Sequence, residues 1–528
     1  MQVDNIHRKD TGLFTEHQVK LSYDQESLTT YLHHPFSKEA IGEQLKLKSD
    51  SFSDEQRNRL ADALIHQNKE PIHAAVLTNI EALRSESTYT VTTGHQLTLL
   101  AGPLYFILKI LQVIKLSEEV NQSSPDHHIV PVYWMASEDH DYEEIQSTNL
   151  FNKKLTNDYQ QRGPVGKFEL TGFEDFKAEI LAFFGEDKQE EIKNLLDAYS
   201  GDNLADATRG LVNSLFSEYG LVIIDGDDKS LKASFAPIIK AELLERQSEK
   251  LVIATSEQMK EEGLNVQVFP RPINLFYSVK GNRTRIEFDN GIFSAGDKTW
   301  SESEILTAVD SSPENFSPNV VLRPVYQELI LPNLAYIGGA GEISYWLQLK
   351  STFEHYAIQY PLIQVRNSVV WIDRSLLKKL DKTDLTWVDV FKGKDELKKS
   401  YVQSHGEDTL DFSKLDALKN QLNDEIMERV TGVNPNLSQF ANAEIARLEK
   451  QLEGLKAKLV KDSKGKHEQA MKDIDFIKDR LFPNGGLQER SANLLSFCAD
   501  GQVKSRVHQL YDAIQPFGRD MLVLLENE

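Results

Sequence analysis

Within Ile129–Glu144, IVPVYWMASEDHDYEE, an apolar run rich in Val, Tyr and Trp stops at Ser137. Glu138, Asp139, His140, Asp141, Glu143 and Glu144 follow at once. Carboxylates and an imidazole crowded in this way can accept a proton from an attacking amine or hold an ammonium group. The apolar run reads as a buried parallel strand, and ligands of open α/β folds sit outside the carboxyl ends of such strands. Asp139, His140 and Asp141 are therefore candidate catalytic groups, with Glu138 beside them. The same acids also suit the first turn of a following helix, where the dipole favours carboxylates, and Asp141 with Glu144 has capping-box spacing. The two readings are compatible.

A second cluster is Thr92–Gly102, TTGHQLTLLAG. The TYTVTT strand ends at Gly94-His95-Gln96, and Pro103 fits the first position of a helix. Leu104, Ile107, Leu108, Leu111 and Ile114 then face a core. Residues 93–102 would lie over the sheet's carboxyl end, where backbone N–H groups and a helix N-terminus hold a phosphate or carboxylate. Gly94 belongs to that turn, and His95 and Gln96 can donate to developing charge. A lone Gly-His pair is more often structural. No GxxxxGK[ST] run is present, so a P-loop is excluded.

In Val320–Lys350, Gly338, Gly339 and Gly341 crowd one turn after a short apolar strand, where glycine permits close backbone approach to a ligand. Glu342 and Tyr345, with Trp346 and Gln348, begin the next helix. Arg323, Arg366 and Arg490 are candidates for gripping a carboxylate or phosphate. The plainer readings are surface ion pairs for the arginines and a tight turn for the glycines. The spacing of Asp139, His140 and Asp141 matches no standard zinc or EF-hand pattern, so neither zinc nor a resident metal site is expected. Mg²⁺ held through water remains compatible with acids near a nucleotide.

These groups need a scaffold. Strand-like runs at Thr88–Thr93, Ile129–Ala136, Leu221–Asp225, Val320–Leu322 and Leu362–Ile372 alternate with helical patterns, which implies βαβ crossovers and a parallel sheet. Residues 1–85 read as mostly helical, and 150–215 and 250–300 as insertions. The expected organisation is a core over 1–380, a helical coiled-coil hairpin over 381–480 and a return segment over 481–528. Leu415, Leu418, Leu422 and Ile426 share one helical face. Beyond the Gly432–Pro435 break, Ile445, Leu448, Leu452, Leu455 and Leu459 step by threes and fours, a heptad seam. Ala470, Ile474, Ile477 and Leu481 resume it.

The chain has 528 residues, enough for two or three domains. Its net charge of −22 argues against nucleic-acid binding. Cys498 is the sole cysteine and sits in an apolar run, which suits core filling and a reducing cytoplasm. The polar N-terminus is no secretory signal. Leu97–Ile114 reads as a loop and buried helix rather than a membrane span.

Four runs in this order, TGHQLTLLAGPLYFILKI, PVYWMASEDHDYEEI, LRPVYQELILPNLAYIGGAGEISYWLQLK and FPNGGLQER, resemble the cysteine-adding enzymes of bacillithiol biosynthesis. The resemblance spans essentially the whole chain. It implies a Rossmann-like core related to class I aminoacyl-tRNA synthetases, with connecting-peptide insertions, and a homodimer formed through a coiled coil. It implies the last step of bacillithiol synthesis, in which cysteine is joined to the amine of glucosaminyl-malate. ATP or ADP is the nucleotide that kinship implies, with an adenylate as the activated acyl group. Gly94–Gln96 falls where the related ligases carry their HxGH signature. The family more usually has Gln at the position of His95, and no KMSKS-like loop is visible. On this reading Gln96 and the Gly338–Gly341 backbone would hold the activated carbonyl, and Arg323, Arg366 and Lys109 the malate carboxylates. Two other readings stay open: a related nucleotidyltransferase-type ligase with another acceptor, and a non-enzymatic nucleotide-binding scaffold.

Overall fold

The computed structural model describes residues 1–49, 51–68, 72–157, 161–279, 281–405 and 411–526. Residues 158–160 of the first expected insertion and 406–410 of the expected hairpin region therefore lie outside the described residues. Five strands form a parallel sheet in the order Leu362–Val365, Asn333–Gly338, Thr88–His95, His128–Met135, Val222–Asp225. Thr88–His95 is buried at every position, and His128–Met135 at all but the first. Burial on both faces explains why these strands read as apolar or β-branched runs without alternation.

Chain order fixes where a ligand belongs. From the central Thr88–His95 strand the chain builds outward through His128–Met135 to Val222–Asp225. It then crosses back and lays Asn333–Gly338 and Leu362–Val365 on the other side. The strand order reverses between Thr88–His95 and Asn333–Gly338, so a crevice opens there at the carboxyl ends. Register brings the ends level: Gly94 faces Trp134, His95 faces Met135, and Met135 faces Asp225.

The helix Tyr105–Ser123 packs on the two central strands through Ile107, Leu108, Leu111 and Ile114, all buried. It starts at Tyr105 with Leu104 as its N-cap, so Pro103 is not its first residue as expected. Two further expectations need correction. Val320–Leu322 is no strand; the strand is Phe316–Pro318, and a helix runs over Arg323–Ile330 with Pro324 in its first turn. Proline suits that position because its missing N–H is not needed there. Leu362–Ile372 is two strands, Leu362–Val365 in the main sheet and Ser368–Ile372 in a three-stranded sheet with Met521–Leu525 and Gln2–Ile6.

The first insertion carries the antiparallel Ser147–Leu150 and Lys153–Thr156 pair and the helices Phe173–Leu181, Glu190–Ala198 and Leu204–Phe216. The second is β-rich: Leu275–Val279 lies between Asn282–Arg285 and Phe316–Pro318, both antiparallel to it.

Residues 1–371 and 486–524 make one compact unit, and 372–485 with 525–528 a second. In the second, Ser413–Val433 and Ser438–Lys466 form a helical hairpin turned by Asn434–Leu437. The Lys456–Asp416 ion pair and the Asn423 amide donating to Glu449 at 2.9 Å clamp its legs. Glu468–Leu481 is a separate helix whose Ile474, Ile477 and Leu481 are buried, and it packs on Arg374–Lys382 and Lys394–His405. Cys498 is buried in the first unit, where lack of solvation pushes its thiol well up. No helix among the described residues is long and apolar enough to cross a membrane.

Candidate functional site

A cleft of about 690 Å³ opens over the strand ends, between the sheet and the second insertion. Its floor is built by sequence order alone: Gly94–Gln96 ends one strand, and Ala136–His140 ends the next. Gly94 is the point of closest approach. A Cβ there would lie 2.9 Å from the Tyr336 hydroxyl, which accepts the Gly94 N–H at 3.2 Å. Only glycine leaves that space open.

One wall is acidic. The Lys232 ammonium donates to Glu138 at 2.5 Å and to Asp227 at 2.6 Å, and Lys167 adds a contact to Asp227 at 2.8 Å. Burial alone would depress the Lys232 amine, but Glu138 and Asp227 overcome it and hold the ammonium charged. Burial raises the Glu138 carboxyl, and Lys232 only partly offsets this. Gln96 donates to Asp139 and to Glu144, each at 2.8 Å. Both N–H bonds of its amide are then committed. Gln96 therefore orients Asp139 rather than offering a donor to a carbonyl.

The lining supplied by the second insertion is basic. Arg271, Arg283 and Arg285 come from the second insertion, and Arg323 from the first turn of its helix. Arg283 lies 4.0 Å from the centre of the Phe276 ring and donates to Ser317 Oγ at 2.9 Å and Pro318 O at 2.6 Å. Its remaining end approaches His140 Nδ1 at 3.3 Å. Arg323 is steadied by Gln327 at 3.0 Å and the Tyr345 hydroxyl at 3.3 Å.

The structure thus brings Gly94, His95, Gln96, Glu138, Asp139, His140, Arg323, Glu342 and Tyr345 together around one cleft. Several expected residues lie elsewhere. Asp141 is exposed and lines a neighbouring concavity, and it makes no side-chain cap on the single turn Tyr142–Ile145. Lys109 is buried beneath the floor, paired with Glu342 and donating to Gly94 O at 2.9 Å, so it supports the turn rather than meeting a ligand. The Gly339 N–H is taken by Glu342 at 2.7 Å, and Gly338, Gly339 and Gly341 do not line the cleft. Arg366 and Arg490 belong to a different cavity. No group of three metal-ligating side chains occurs among the described residues.

Sequence reading missed Lys232, Asp227, Arg271, Arg283, Arg285 and Phe276. Arg283 and Arg285 alternate along one strand and so share a face, a signal that was present but had no strand to attach to.

Burial, then the nearby Lys109, depresses the His95 imidazole to about 3, and His95 Nδ1 sits 2.8 Å from Gln96 O. The ring is neutral in the fold and protonates near 6.5 when unfolded. Its contribution to stability is thus present above that value and is lost as pH falls through the folded one. Replacing His95 with Gln should flatten this loss by up to about 1.4 kcal/mol per pH unit below 6.5. Urea unfolding at stepped pH reads the slope, and identical slopes would remove His95 as the source.

Fold and cleft define a Rossmann-like α/β protein with a cleft at the topological switch point and a helical coiled-coil domain on the same chain. The family description "Bacillithiol biosynthesis BshC, N-terminal Rossmann-like domain" matches residues 1–367, and the corresponding "C-terminal coiled-coil domain" matches residues 369–526. The chain belongs to this bacillithiol biosynthesis BshC family. A relative from Flavobacterium psychrophilum is 39% identical over 501 residues, covering 93% of this chain and 94% of its own. One from Flavobacterium johnsoniae is 40% identical over 506 residues, covering 94% and 95%. One from Cytophaga hutchinsonii is 38% identical over 523 residues, covering 97% of each. All three bear the name "Putative cysteine ligase BshC".

Proposed function

We propose that this chain is a ligase that forms the amide bond between cysteine and the amine of glucosaminyl-malate, the last step of bacillithiol synthesis, in the cytoplasm. The observation that carries this reading is the gathering of basic and acidic side chains around one cleft at the switch point. The substrates need both. The malate carboxylates suit Arg271, Arg283 and Arg285, whose planar groups bind such anions through paired donors. The cysteine ammonium suits Asp139. Relatives named as cysteine ligases support the amino acid.

Joining a carboxylate to an amine in water is uphill, and ATP supplies the activation: the cysteine carboxylate takes the adenylyl group as pyrophosphate leaves, and AMP leaves when the amine attacks. Gly94 and Arg323 both line the cleft, and a backbone turn with a guanidinium beside it suits a phosphate-bearing ligand. Arg323 offers the donors for a developing oxyanion that Gln96 and the glycine turn cannot. The attacking ammonium must lose a proton before its nitrogen can bond to the carbonyl carbon. Glu138, made more basic by burial, takes that proton.

The reading is tested by incubating the protein with glucosaminyl-malate and cysteine, with and without Mg-ATP, and following bacillithiol by mass spectrometry. Product that requires ATP is expected. Product without ATP would remove the nucleotide from the scheme, and no product from folded protein would favour another acceptor or a scaffold role.

The homodimer is also a proposal. Leu418, Leu422, Leu448, Leu455 and Leu459 of the hairpin are all exposed. A second copy of the hairpin would cover such a heptad-spaced apolar stripe. Leu455→Glu should shift sedimentation from dimer to monomer. An unchanged dimer would take the stripe out of the interface.

A further inference from the structure

Arg366 and Arg490 meet Arg8 around a second cavity of about 130 Å³ that shares no residue with the main cleft. We propose that this cavity binds a small, doubly charged oxyanion of the size of inorganic phosphate.

The argument rests on charge and on unmet hydrogen bonds. The cavity wall carries three guanidinium groups and one carboxylate, Glu489. That carboxylate is already committed. One of its oxygens accepts from Arg366 at 2.7 Å and Ser368 Oγ at 2.9 Å, and the other from the Val369 N–H at 2.6 Å. Arg366 spends a second nitrogen on Asn367 O at 2.8 Å, while its Nε–H is buried without a partner. Arg8 donates to two carbonyls, Arg519 O and Arg366 O, both at 2.7 Å. Burial, then the charge of Arg366, pulls the Arg8 guanidinium down to about 10, and Glu489, Tyr23 and Asp520 compensate only in part. Like charges collected in a partly dry site are costly unless an anion joins them.

Size and chemistry narrow the occupant. A drug-sized ligand needs roughly 300 Å³ or more, whereas phosphate fits the smaller space. Arginine forks match phosphate oxygens in pairs, and the Gln18 amide adds a neutral polar group to the wall. Arg490 is exposed and stands at the mouth, where an incoming anion would meet it.

The test is thermal unfolding of the full-length protein titrated with inorganic phosphate, against sodium chloride at matched ionic strength. Wild type, Arg490→Ala and Arg283→Ala are compared. Arg490 is exposed, so its variant should fold. A saturable rise in Tm is expected for wild type, with the midpoint moved roughly tenfold or more by Arg490→Ala, the loss of one charge-assisted bond. Arg283→Ala in the main cleft should leave the midpoint in place. A phosphate effect no larger than that of chloride would overturn the proposal. So would one that Arg490→Ala leaves intact, or one that Arg283→Ala abolishes.

Discussion

Replacing Lys232 with Met is expected to lower folding stability by about 3–5 kcal/mol, because it takes the ion-pair partner from Glu138 and leaves Asp227 with Lys167 alone, at a site that solvates both carboxylates poorly. Lys232 is 2% exposed, and Glu138 and Asp227 are 17% and 14% exposed. The deficit has a pH signature. The wild-type Asp227 carboxyl meets burial that would raise it, but Lys232 and Lys167 hold it below its usual range. Its contribution is present above the unfolded value and is lost as pH falls through the folded one. Without Lys232, Asp227 and Glu138 both shift upward and protonate sooner. The variant's deficit should be largest at neutral pH and shrink towards about pH 5. Adding Glu138→Gln and Asp227→Asn should restore part of the loss at neutral pH. Denaturant unfolding at the two pH values measures all of this. A deficit independent of pH would mean that packing, not charge, is what Lys232 supplies.

Arg283→Met should leave the fold in place and reduce kcat/KM by about 10- to 100-fold, the cost of one or two charge-assisted hydrogen bonds to a substrate anion. The side chain lies over Phe276 and is already aimed by Ser317 and Pro318, so little ordering entropy remains to be lost on binding. Methionine keeps apolar contact with the ring while deleting the donors. If Arg283 binds the malate carboxylates, the loss should appear in KM for glucosaminyl-malate and leave KM for cysteine alone. Equal losses in both would instead place Arg283 at the reacting centre.

These expectations differ in how far sequence led to them. Asp139 and Glu138 were visible because an apolar run and its acidic end are contiguous, and a buried parallel strand with a polar terminus leaves that imprint. The parallel α/β sheet was legible for the same reason, whereas the Rossmann-like core was what the family resemblance implied. Lys232 could not be read in this way: it reaches Glu138 from 94 residues away, on a helix that otherwise looks like any amphipathic one. Arg366 could not be told from the cleft residues because a guanidinium after a strand looks the same whether it lines the main cleft or, paired with Glu489, a different cavity. Val320–Leu322 looked extended because three apolar residues carry no period, and Pro324 was the signal that a helix begins there.

The three-stranded sheet has a consequence for how the protein comes into being. Gln2–Ile6 lies beside Met521–Leu525, which lies beside Ser368–Ile372. Gln2–Ile6 thus leaves the ribosome roughly 500 residues before the strand it pairs with. At elongation rates of roughly 5–20 residues per second, that wait is about half a minute to two minutes. During it Gln2–Ile6 lacks its pairing strand, and the edge of Ser368–Ile372 is open to any passing strand. Nascent chains stalled a few residues short of Met521 should therefore be held in a protease-sensitive, chaperone-dependent state, and completion of the last strand should act as the latch that ends it.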